Sequence, residues 1–177
     1  MSEGAPGGSL PPRPATPHSI GPVKRPLLAM LAGLVIAGCG DNDEDSAPAA
    51  CLGGGDVYLT ALEAAPDEVL LERTTPISDC LVEGQEGGEL GQVGEGMVDA
   101  ATELNRRAQA DPGGPSTVQL GYLVGAAQEA ASTTGGIHED LVLRLDSAAR
   151  FTGGERAFPA SFERAFGAGY AAGQASG

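Results

Sequence analysis

The stretch "STVQLGYLVGAAQEAAS", Ser116 to Ser132, decides how the chain folds. Ser116 and Gln119 form a capping box that opens a helix, and most residues inside it are apolar or small. Gly121 and Gly125 stand about one helical turn apart, as a GxxxG. With no side chain at either position a second helix backbone can come close, in lipid or in water. The C-terminal stretch "FGAGYAAGQ", Phe166 to Gln174, carries a second such pair, Gly169 and Gly173. In both pairs a tyrosine follows the first glycine, Tyr122 and Tyr170. Both are expected to be close-packing helix faces within one soluble domain.

Further helices follow from apolar spacing. Leu90, Val93, Met97, Ala101, Leu104 and Ala108 recur at three- and four-residue steps, which predicts an amphipathic helix running to about Gln109 and stopping at "ADPGGP". After "TTGG", Ile137, Leu141, Leu145 and Ala149 line one face of a helix ending near Phe151, and "TGGE" breaks it. Phe158, Phe162, Phe166 and Tyr170 then stand four residues apart along a last helix. Each step drifts by about 40° on a helix of 3.6 residues per turn, so the four share one broad face. That face reads as core, with a partner-facing stripe as its second reading because only 4% of the chain is aromatic and Trp is absent.

Toward the N-terminus, "DVYLTALEAAP" reads as a helix that begins at a capping Asp56 and stops before Pro66. Val69 to Leu71 fits either a short strand or a helical turn, and Thr75 with Pro76 suggests a new helix carrying Cys80. "GQEGGELGQVGEG", Gly84 to Gly96, is Gly-rich enough to read as a loop. Short connections favour antiparallel neighbours. The expected fold is all-α, a small antiparallel helical bundle over residues 51–177 with Gly-rich loops.

Charge excludes one class of partner. Of the 24 acids only Glu3, and of the 10 bases Arg13, Lys24 and Arg25, lie ahead of Cys39. The chain from Cys39 onward therefore carries 23 acids against 7 arginines, a formal −16. Such a chain is repelled by phosphate backbones and anionic lipid, so nucleic acid is not expected as a partner.

The segment "KRPLLAMLAGLVIAGCGDNDED", Lys24 to Asp45, speaks to address. Lys24 and Arg25 are a short positive region, and Pro26 to Gly38 is an apolar run too short for a membrane-spanning helix, which needs about 20 residues. The run ends on "IAGC", Ile36 to Cys39, which resembles the lipobox of bacterial lipoproteins. The resemblance implies that residues 1–38 are removed, that the Cys39 thiol carries a diacylglyceryl group, and that the protein is held to the extracytoplasmic face of a cell membrane. It covers about 17 residues and implies nothing about the domain. Residues 1–22 are long for such a signal; translation beginning at Val23, read as methionine from a GTG codon, would leave a compact one.

Residues 39–50, with "GDNDEDSAPAA" at Gly40 to Ala50, read as a solvated acidic tether. Asp41, Asp43 and Asp45 sit at positions one, three and five of a calcium-binding EF-hand loop. Ser46 then replaces the turn glycine and Leu52 the bidentate Glu, so the match fails. With Cys39 acylated, Cys51 and Cys80 reach an oxidising compartment as an even pair, and a disulfide is expected.

Chemistry-bearing motifs are scarce. His138, in "GGIHEDL", is the single histidine after Cys39, and Glu139 and Asp140 beside it read as helix-dipole complements. No GxSxG, HExxH, CxxCH, Walker loop or dinucleotide fingerprint occurs, so no cofactor, metal ligand or catalytic residue is assigned. The leading expectation is a lipid-anchored module that binds another envelope protein or has a structural role. Ranked behind it are a lipoprotein binding a small ligand or metal ion, and then a carboxylate-based enzyme assisted by His138.

Overall fold

Leu120 to Ala127 is an unbroken buried run, so the helix that carries it is enclosed on all sides rather than along one stripe. The computed structural model describes residues 45–150 and 158–177. The expected signal over residues 1–38, Cys39, the first part of the expected acidic tether and the "TGGE" break lie outside the described residues. In chain order the elements are a 3-10 turn (Ala49–Leu52), α1 (Gly55–Ala61), a second 3-10 turn (Leu62–Ala64), β1 (Leu70–Leu71), β2 (Thr75–Pro76), a third 3-10 turn (Ile77–Cys80), α2 (Gly87–Ala110), α3 (Pro115–Thr133), α4 (Glu139–Ala149) and α5 (Ala160–Ser176). The described chain is mostly helical, with one two-stranded antiparallel ladder pairing Leu70 with Pro76 and Leu71 with Thr75.

The enclosed helix is α3, which packs most extensively against α5 and also against α2, α4 and the third 3-10 turn. The α3–α5 seam is built on the two glycine pairs. A Cβ at Gly121 would overlap the carbonyl oxygen of Phe166, and one at Gly125 that of Tyr170. Reciprocally, a Cβ at Gly169 would overlap the carbonyl of Val118, and one at Gly173 that of Tyr122. Contact at this range is backbone against backbone, the setting in which Cα–H···O contacts recur between helices. The partners advance in the same direction along both helices, so α3 and α5 run parallel. The antiparallel expectation fails for this pair because it holds for consecutive helices, and α4 lies between these two in sequence.

Tyr122 adds a polar tie at the same seam. Its hydroxyl accepts from the backbone N–H of Val69 at 3.3 Å and donates to the carbonyl of Ser176 at 3.1 Å, joining the strand region to the end of α5.

Several element boundaries differ from the sequence expectation. The helix α3 begins at Pro115 behind an extended Gly114, so Ser116 lies inside the first turn instead of capping it. Asp56 likewise sits in the first turn of α1, where Gly54 with φ 74° precedes the helix. Thr75 and Pro76 form β2, and Cys80 rides on a 3-10 turn.

The Gly-rich run is not a loop throughout, because α2 starts at Gly87. Packing supports its second part, from Val93 onward. A Cβ at Gly96 would crowd the Gly54 backbone and the Tyr58 ring, and one at Gly94 would press on Leu141. Val93, Met97, Ala101, Leu104 and Ala108 are all buried on this helix. In α4, Leu141, Leu145 and Ala149 are buried as expected, but Ile137 precedes the helix and is exposed.

Cys51 and Cys80 are joined in a disulfide, both fully buried. A closed loop of 29 residues restricts the unfolded chain by roughly 3 kcal/mol. Upstream, Ala47 and Ala50 are buried, and the Ala47 N–H donates to Glu89 Oε2 at 3.0 Å. The expectation of a solvated tether over residues 39–50 therefore does not hold at Ala47 and Ala50, which pack into the domain.

The seam makes a graded prediction. Gly125→Ala or Gly173→Ala forces two backbones apart and should cost about 1–3 kcal/mol or more. Gly167→Ala, on the same helix with nothing within 4 Å of the new Cβ, should be neutral or stabilise by up to about 1 kcal/mol. Urea unfolding of the three variants checks this; equal effects would contradict the seam.

Candidate functional site

Three places in the domain carry chemistry or an unusual surface. The first is His138, fully buried at the turn into α4. Its Nε2 lies 3.0 Å from Gln85 Oε1 and its Nδ1 2.7 Å from Thr134 Oγ1. Gln85 Nε2 donates to the Cys80 carbonyl at 3.3 Å, so Oε1 is the free acceptor and Nε2 of the imidazole carries the proton. Thr134 then donates to Nδ1 in the neutral ring, with the Ala131 carbonyl 3.1 Å away as its competing acceptor. The chain of bonds ties the disulfide turn to the α3–α4 corner.

Glu139 and Asp140 are exposed in the first turn of α4, where they complement its dipole. No carboxylate is bonded to the ring among the described residues, so His138 is not paired with Glu139 or Asp140. Burial pushes the His138 pKa below its ordinary 6.5. It also raises that of Tyr58, whose hydroxyl donates to the Cys51 carbonyl at 2.9 Å.

The second place is the aromatic ladder. Phe158, Phe162, Phe166 and Tyr170 stack in sequence, with centroids 5.0, 5.7 and 6.3 Å apart and planes within 22°. Phe162 is buried, Phe166 and Tyr170 are half-buried, and Phe158, just ahead of α5, is 38% exposed. The stripe is therefore part core and part surface, with Phe162 its most buried member. The Tyr170 hydroxyl donates to Gln128 Oε1 on α3, which orients the ladder's C-terminal end. On the far side of α4, Asn105 donates through Nδ2 to the carbonyls of Ala148 and Arg150, both at 2.8 Å, and so closes that helix's C-terminus.

The third place is an open groove of about 1130 Å³ between α1 with its following 3-10 turn and the β1–β2 hairpin. Val57, Ala61, Ala64 and Leu70 form its apolar lining, and Asp56, Glu63, Glu68 and Glu72 its carboxylates, with Arg73 at one end. All four carboxylate residues and Arg73 are exposed. The hairpin turn puts Glu72 at φ 49° and Arg73 at φ 67°, both left-handed, as the central residues of a turn closed by Thr74 N–H donating to the Leu71 carbonyl at 3.1 Å. Sequence reasoning missed this groove. Such a turn is signalled by Asn-Gly or Asp-Gly, and Glu-Arg gives no such sign.

Of the residues singled out in the sequence, Cys39 lies outside the described residues. Cys51 and Cys80 are bonded to each other, and Gly121, Gly125, Gly169 and Gly173 meet at one seam. Among the described residues no group of three or more His, Cys, Asp or Glu is placed to hold a metal ion, and no helix is long and apolar enough to cross a membrane. No protein-family model, curated protein or solved structure matches the chain.

The buried imidazole has a pH consequence. Burial lowers the His138 pKa in the folded state below the unfolded chain's 6.5, so its contribution is present in full above that pH and is lost as pH falls below it. The added slope is at most about 1.4 kcal/mol per pH unit. Urea midpoints between pH 7.5 and 5.5 should fall more steeply for the wild type than for His138→Gln. Parallel curves would contradict this placement of the ring.

Proposed function

We propose that the protein is a lipid-anchored, extracytoplasmic helical module that docks another protein of the cell envelope. The observation that carries the reading is a cysteine ending a lipobox-like run, eight residues ahead of Ala47, which is buried in a disulfide-bonded domain. The paired cysteines suit an oxidising compartment. Eight residues span at most about 28 Å, so acylation at Cys39 would hold the domain against the bilayer surface and confine its partners to that layer.

The helices are read as a small bundle. Four residues separate α2 from α3 and five separate α3 from α4, lengths that suit antiparallel neighbours, with α5 returning parallel to α3. In such a bundle α3 is the shared core element and α1 with the hairpin lies at one side. The groove there is the surface assigned to docking, since its apolar lining is broad and open to solvent.

Fractionation of the native host tests the anchor. The wild-type chain should pellet with membranes and be released by detergent alone, and Cys39→Ser should leave the acylated pool entirely. A photo-reactive residue at Thr60, inside the groove, should cross-link an envelope protein in the acylated chain, whereas one at exposed Thr102 should not. Identical fractionation of Cys39→Ser and wild type would contradict the anchor, and equal cross-linking from both positions would contradict the docking surface.

A further inference from the structure

We infer that the α1–hairpin groove takes a cationic segment of its partner, one that alternates Lys or Arg with apolar side chains. The inference rests on the docking reading above and names the chemistry of what docks. Its basis is the pairing of an apolar lining with charge that the protein leaves uncompensated.

Asp56, Glu63, Glu68 and Glu72 edge the groove, and none of them is in an ion pair among the described residues. Arg73 offsets one of the four charges, leaving a formal −3 along a single cleft. The chain has few cations after Cys39, and two of them, Arg106 and Arg107, are both held on Glu103 at 2.7 and 2.8 Å, away from the groove. Between the carboxylates Val57 and Leu70 are only half-buried, so apolar surface lies in the same cleft.

The size and layout select among cations. A volume of about 1130 Å³ exceeds the roughly 300–1,000 Å³ typical of small-molecule sites. No three acids converge on one point to hold a metal ion among the described residues. Carboxylates spread along the cleft suit an extended chain bearing several positive charges, which they would steer inward, while the lining receives its apolar side chains. Anionic segments are repelled by the same field.

The test uses the intact acylated protein in nonionic-detergent micelles, with empty micelles as the blank. Three labelled twelve-residue peptides serve as probes: alternating Lys and Leu, alternating Glu and Leu, and alternating Lys and Ser. The Lys-Leu peptide should bind with an affinity that falls steeply with salt. Replacing Glu63, Glu68 and Glu72 together by Gln should weaken it at least tenfold. Replacing the exposed Glu95, Glu129 and Glu163 together by Gln should weaken it less than threefold.

Equal losses in the two triple variants would mean attraction to bulk negative charge and would overturn the inference. Equal binding of the Lys-Ser peptide would overturn the role of the apolar lining. Absence of Lys-Leu binding while Thr60 still cross-links an envelope protein would overturn the cationic partner and leave the docking reading standing. Absence of both would remove the two together.

Discussion

Two helix backbones touching at four glycines is the constraint on which the rest of the domain depends. Because Gly121, Gly125, Gly169 and Gly173 present no side chains, α5 lies directly on α3 and the surrounding side chains pack outside that line. Tyr122 and Tyr170, which follow the first glycine of each pair, then reach across the seam, Tyr122 to Ser176 at the end of α5 and Tyr170 to Gln128 within α3. A core poor in aromatics can be tight only where backbones approach this closely, since Ala and Gly supply little apolar area of their own. The disulfide performs a related task at the other side of α3, where the third 3-10 turn packs against it with little regular secondary structure.

Some of this was legible in the sequence. Spacing alone identified the two glycine pairs, a local signal whose meaning changes little with context, whereas the Cys51–Cys80 pairing followed from the lipobox resemblance that sets Cys39 apart. The direction of α5 relative to α3 was not legible, since a GxxxG has no polarity and the helix between the pairs decides it. The start of α2 was misread for a different reason. Glycine lowers helix propensity, yet Gly96 and Gly94 are where Tyr58 and Leu141 need room, and that tertiary contact overrides the local preference.

The candidate surfaces were harder to foresee. His138 was read from its acidic neighbours in sequence, but its ring is bonded to Gln85, 53 residues upstream, and no local pattern announces that partner. The groove depends on a hairpin whose central residues, Glu72 and Arg73, adopt left-handed backbone angles without the usual Asn or Gly. Its carboxylates give no local signal because acids are frequent along the whole chain. Only the fold sets four of them along one apolar cleft, and only the scarcity of nearby arginines leaves them without partners.

In the proposed account anchor, disulfide and groove belong together, because an acyl group on Cys39 would hold an acidic domain at a membrane surface that its own charge would otherwise keep at a distance. The intact mass of the protein extracted from membranes of its native host, taken before and after reduction, tests that picture most directly. A chain beginning at Cys39, heavier by a diacylglyceryl group and gaining about 2 Da on reduction of one disulfide, is the predicted result. An unlipidated chain that retains residues ahead of Cys39 would contradict it.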